Sequence, residues 1–109
     1  MNDIYFGDDA DNVANPPQWT LNSGGRAQIK AENDGSLEHN WAIIKAGATV
    51  PDSVTDAAAI KDIILFDVGN VAGGASTNAT FDIPDAGEYT VICTVAGHYP
   101  TMQGKLVVK

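Results

Sequence analysis

Short apolar alternations broken by turn residues run through most of this chain. Ile4 and Phe6 fall on one face of DIYFG, and Trp19 and Leu21 on one face of QWTLN. In RAQIKAE, Ala27, Ile29 and Ala31 alternate against Arg26, Gln28, Lys30 and Glu32. That period of two is the mark of half-buried strands. NDG at 33–35 signals a turn, and NWAIIK, IILFDV, TNATFDI, EYTVICT and GKLVVK follow, rich in β-branched and aromatic residues. The pattern predicts an all-β, antiparallel Greek-key β-sandwich or barrel of about eight strands, filling residues 1–109 as one domain. One stretch breaks the rhythm: PDSVTDAAAIKDI has Ser53 three residues before Asp56, then an alanine run. It predicts a short helix near residues 53–62, started by a capping box. Tyr89 opens the EYTVICT strand four residues after Asp85, the spacing of a tyrosine corner, so its predicted role is structural.

Composition narrows the function. A 44% hydrophobic and 18% charged chain suits a compact fold rather than a disordered one. The formal charge of −8 argues against nucleic acid, whose phosphates require Lys and Arg, and predicts a basic protein partner met at a salt-dependent rate. All 14 acids lie between Asp3 and Glu88, so Tyr89–Lys109 carries none. No apolar run approaches the roughly 20 residues of a membrane helix. The abrupt start is compatible with a removed export signal or membrane tether, and a monomer is expected.

The scarce residues gather in one place. CTVAGHYPTMQG, residues 93–104, holds the chain's single Cys, one of its two His and its one internal Met. Taken singly, Cys93 is a buried thiol, His98 a loop imidazole and Met102 core filling. Together they form Cys-x4-His-x3-Met on one loop between two strands. His39, at the start of HNWAII, sits on a predicted strand edge that a sandwich can bring beside that loop. One thiolate, two imidazoles and a thioether make the donor set of a blue-copper electron-transfer site. A thioether is a poor donor to structural zinc, and calcium and magnesium take oxygens. A Cys–His hydrolase fits less well, because no residue offers an oxyanion hole or orients the histidine, and Met102 would be idle. Two other readings stay open: a copper-delivery or storage protein, and a β-sandwich binding module without metal.

CTVAGHYPTMQGKLVV resembles the ligand loop and final strand of the cupredoxins, the small type 1 blue copper proteins, and EHNWAI resembles their first-histidine segment. The spacing is most similar to the auracyanin- and azurin-like members, although azurin's disulfide is absent. The resemblance implies one copper ion cycling between Cu(I) and Cu(II), held by His39, Cys93, His98 and Met102. It makes Asn40 the residue that ties the two ligand segments together near the thiolate. Glu38, where the family often has Gly or Pro, is a departure that touches the metal's surroundings. The implied function is that of an electron carrier, not an enzyme, in a photosynthetic or respiratory chain. Its place would be periplasmic or otherwise outside the cytoplasmic membrane. Cytochromes or a photosynthetic reaction centre would dock weakly and transiently at Val95, Ala96, Gly97, His98, Tyr99 and Pro100. Acids such as Asp8, Asp9 and Asp11 would steer that approach.

Overall fold

The computed structural model describes residues 1–7, 11–99 and 101–109. Asp8, Asp9 and Pro100 therefore lie outside the described residues, as does what was expected of them. Among the described residues seven strands form: β1 (Gln18–Leu21), β2 (Arg26–Glu32), β3 (Ala42–Ile44), β4 (Ile64–Asp67), β5 (Ser76–Asp82), β6 (Gly87–Ile92) and β7 (Gln103–Val108). They make a five-stranded sheet in the order β1-β7-β6-β3-β4 and a β2-β5 ribbon. The all-β sandwich is thus as the alternation predicts, with two corrections to its strands. The pairing of β1 with β7 is parallel, not antiparallel. DIYFG forms no strand either. Asn2 pairs back on Tyr5 in a tight turn, and Ile4 takes φ 69° within it. The Asn12 side chain then occupies both backbone groups of Phe6, at 2.7 Å from its N–H and 3.1 Å from its carbonyl, leaving nothing for a strand partner.

The expected helix is also shifted and tighter. A 3-10 segment spans Ala58–Ile63, and Ile60 breaks it with φ −124° and ψ 21°. Asp56 accepts from the Ala59 N–H at 2.8 Å, so the helical start is its work, and Ser53 lies outside the segment. The cause is packing: Ile60 joins Val54 in a small core with Ile44 and Ile92, on the side of β3 and β6 away from the main core. A kinked short turn delivers Ile60 there, where a continuous amphipathic helix is not needed.

The main core gathers alternate residues of both sheets. Phe6, Trp41, Ile43, Phe81, Tyr89, Val91, Cys93, Met102, Leu106 and Val108 form one buried cluster. Trp41 meets Trp19 edge-on with ring centroids 5.6 Å apart, and Phe66 stacks on Phe81 at 4.8 Å. The Tyr89 hydroxyl donates to the Asp85 carbonyl at 2.6 Å, closing the predicted tyrosine corner. Cys93 and Met102 thus enter the core at the two roots of a single loop, between β6 and β7.

Candidate metal centre

Antiparallel pairing of β3 with β6 sets Ala42 opposite Ile92. Continued past the strand ends, that register sets Trp41 opposite Cys93 and Asn40 opposite Thr94, with His39 one residue further on. The Asn40 side chain makes the junction firm. Its Oδ1 accepts from the Thr94 N–H at 2.6 Å, and its Nδ2 donates to Thr94 Oγ1 at 2.6 Å and to Asp67 Oδ1 at 3.1 Å. The Asn40 N–H points at Cys93 Sγ, 3.5 Å away. Behind this pair, His39 exchanges both backbone hydrogen bonds with Val71, at 3.1 and 2.8 Å. Asn33 braces the same place, donating from Nδ2 to the carbonyls of Leu37 and Val71 at 2.8 Å each.

The loop after β6 is turned by its own backbone. The His98 N–H donates to the Val95 carbonyl at 3.0 Å, and Gly97 between them takes φ 80°, a conformation open to a residue without Cβ. The Met102 N–H then donates to the His98 carbonyl at 2.7 Å, and the Cys93 N–H to the Met102 carbonyl at 3.3 Å. The loop is closed at its root, and Cys93, His98 and Met102 are buried within it.

Three donor atoms converge there. His39 Nδ1 lies 3.2 Å from His98 Nδ1, and Cys93 Sγ lies 3.4 Å from His98 Nδ1. One ligand atom from each of the three falls within 4.8 Å of the others. His39 and Cys93 are fully buried, while His98 keeps 7% of its surface exposed. Met102 is fully buried in the same core cluster as Cys93. Burial pushes the Cys93 thiol above its usual value, and the charges of Asp67 and Glu38 add to the rise, against the N–H groups of Asn40 and Val95. Burial likewise holds the His98 imidazole below its ordinary value, helped by His39 and opposed by Asp3.

These donors suit a metal ion of borderline softness. His98 Nδ1 faces both His39 Nδ1 at 3.2 Å and Cys93 Sγ at 3.4 Å, so three lone-pair-bearing atoms share the few protons available between them. A cation placed among them satisfies all three at once. Two nitrogens and a sulfur select copper or zinc over calcium and magnesium.

The remaining expected residues have distinct surroundings. The Glu38 carboxylate accepts from Asn70 Nδ2 at 2.7 Å on the surface. Ala96 and Gly97 are exposed, Val95 and Tyr99 half-buried, each against a different core cluster. Sequence reasoning missed Thr94, Asp67 and, above all, Asp3. Asp3 Oδ1 lies 3.0 Å from His39 Nε2, on the side of the imidazole away from Cys93 and His98. Its carboxylate also accepts from the N–H groups of Leu37 and Ser36, and these bonds with that of His39 hold it far below the usual carboxylate range. Thr94 was findable as the neighbour of Cys93. Asp3 carried no signal, since it acts across the turn that replaces an expected strand.

Known proteins agree with this geometry. Residues 6–109 match the family described as copper binding proteins, plastocyanin/azurin family. Auracyanin-A of Chloroflexus aurantiacus is 34% identical over 103 residues, covering 84% of this chain and 64% of its own. The curated relatives are longer: the chain spans between 40% and 64% of their length. Among solved structures, auracyanin A, titled a "blue" copper protein from that green thermophilic photosynthetic bacterium, superposes with a TM-score of 0.69 at 28% identity, covering 87% of each chain. Auracyanin B gives a TM-score of 0.73 at 26% identity, covering 87% of this chain and 78% of its own. The chain belongs to the plastocyanin/azurin family of copper-binding proteins, the cupredoxins, whose cofactor is one copper ion.

Proposed function

We propose that the protein is a single-domain, one-electron carrier, not an enzyme, and that His39 Nδ1, His98 Nδ1, the Cys93 thiolate and the Met102 thioether hold its copper. The observation that carries this reading is the convergence of three buried donors under the Asn40 clamp. When bound, copper supplies a Cu(I)/Cu(II) couple. The chain's own residues do the rest. Asn40 holds the two ligand segments at a fixed separation, and its N–H faces the sulfur, where a hydrogen bond withdraws charge from the thiolate. Burial of His39, Cys93 and Met102 keeps water from the donors. Donors held by the fold rather than by the metal have little distance to move when the charge changes.

His98 gives the route out. Its imidazole is the one buried donor that retains surface, beside exposed Ala96 and Gly97 and ahead of half-buried Tyr99. We assign the contact with redox partners to Val95–Pro100, as a small, transient interface of the kind redox encounters use. A chain of −8 with an acid-free C-terminal fifth favours partners whose basic surface meets the acids while that apolar loop makes contact. Cytochromes or a photosynthetic reaction centre outside the cytoplasmic membrane are the proposed setting, supported by the relative titled a blue copper protein of a photosynthetic bacterium.

Titration of the metal-free protein with Cu(II), followed by visible absorption, tests the reading. An intense blue band that reductant bleaches and Cys93→Ala abolishes is expected. Colourless protein, or absorption indifferent to Cys93, would return it to a binding module without metal. Mixing the copper-loaded reduced protein with an oxidised cytochrome then separates the roles: rapid cytochrome reduction with the copper retained is carriage, whereas loss of copper to an acceptor protein is delivery.

A further inference from the structure

We infer that Asp3 is a positioning residue for His39: its carboxylate fixes the imidazole tautomer and strengthens Nδ1 as a donor, which lowers the reduction potential of the bound copper. The inference rests on the ligand assignment proposed above.

The contact is built rather than incidental. Asp3 Oδ1 accepts from the Leu37 N–H at 3.0 Å and the Ser36 N–H at 3.0 Å, and Oδ2 from Ser36 Oγ at 2.8 Å. These bonds fix the carboxylate with Oδ1 still 3.0 Å from His39 Nε2. Gly35 makes the approach possible, since a Cβ at that position would stand 2.1 Å from Oδ1. The backbone holds the segment too, through the Asp34 N–H donating to the Met1 carbonyl at 2.7 Å.

A carboxylate with no proton of its own can only accept. A neutral His39 must therefore carry its proton on Nε2, which leaves the Nδ1 lone pair aimed at His98 and Cys93. Hydrogen bonding from a ligating imidazole to a carboxylate raises the ligand's basicity and fixes the ring. A more basic nitrogen favours the higher charge, Cu(II), over Cu(I). No comparable partner acts on His98: among the described residues its hydrogen bonds are those of Nδ1 and the backbone. Asp3 is thus a device on one ligand of the pair.

Three variants test this: Asp3→Ala, Asp3→Asn and Gly35→Ala, which displaces the carboxylate without removing it. In metal-free wild type, proton–nitrogen correlation NMR is expected to find the His39 proton on Nε2, and Asp3→Ala to mix the tautomers. In the copper-loaded proteins the reduction potential is expected to rise from wild type through Asp3→Asn to Asp3→Ala. Cu(II) affinity falls by roughly 10- to 100-fold in Asp3→Ala, with the blue band retained. Gly35→Ala should follow Asp3→Ala. A wild-type proton on Nδ1, or potentials and affinities equal across the series, would overturn the inference. A change in melting temperature alone, with potential and tautomer unmoved, would reduce Asp3 to a structural anchor and overturn it equally. Should Asp3→Ala not fold, the isosteric Asp3→Asn carries the same readouts. Absence of a blue band from wild type would fail the ligand assignment instead, and the metal-free tautomer would still decide the role of Asp3.

Discussion

The two histidines of this chain present the same atom to the same point, yet they are held in opposite ways. His39 is sealed: fully buried, bonded through its backbone to Val71 and through Nε2 to Asp3. His98 hangs on a loop turned by Gly97, 7% exposed, and among the described residues its hydrogen bonds are those of Nδ1 and the backbone. The contrast teaches that one imidazole can serve as a fixed reference for the site while the other serves as its opening. A site sealed on both sides would exclude a redox partner, and one open on both would admit water to the thiolate.

The largest effect should come from replacing each imidazole by glycine. His98→Gly is expected to lose the blue absorption and recover much of it when free imidazole is added, because a small molecule can enter at the exposed edge. His39→Gly should not recover, since its vacancy is enclosed. Equal rescue, or none in either, read as absorbance against imidazole concentration, would break the asymmetry.

Asn40→Ala attacks the fixed half. It leaves the Thr94 N–H and Oγ1 without their buried partner and removes the link to Asp67. Such a loss costs about 1–3 kcal/mol, visible as a lower urea midpoint of the metal-free protein. Asn40→Asp, which keeps the acceptor for the Thr94 N–H, is expected to lose less.

The exposed half should show itself in pH. The unfolded chain takes up a proton on its imidazoles near the ordinary value of about 6.5, whereas burial delays that uptake on His98 in the fold. Between the two values the unfolded state binds more protons, so metal-free stability falls as pH drops through 6.5 toward the lower folded value. Denaturation midpoints between pH 7.5 and 5 should therefore decline. The decline should be shallower in His98→Gln. A slope untouched by that substitution would place the titration elsewhere.

Much of this was legible in the chain itself, for a physical reason. Strands such as RAQIKAE announce themselves because one face is buried and the other wet, and β2 spans those seven residues. Cys93, His98 and Met102 were legible as a cluster because a single loop carries them. His39 was legible because a strand edge leads straight from it. What failed to show depended on partners far along the chain. Asp3 meets His39 only because residues 2–5 turn back, and Asn12, six residues on, takes the backbone of Phe6. The helical spacing at 53–63 was real but short, and burial of Ile60 overruled it. The parallel pairing of β1 with β7 could not be found from local alternation, which is blind to strand direction.

That parallel pairing has a consequence for the time course of folding. It joins Gln18 to Lys105 and Leu21 to Val108, so the five-stranded sheet is complete only when distant parts of the chain have met. Contacts of such separation form slowly, because a long loop must be closed before any bond rewards it. The loop from Cys93 to Met102 hangs between β6 and this last strand. During refolding, the sites of hydrophobic collapse should form well before the donors are aligned, and competence to turn blue should lag behind the appearance of the buried core.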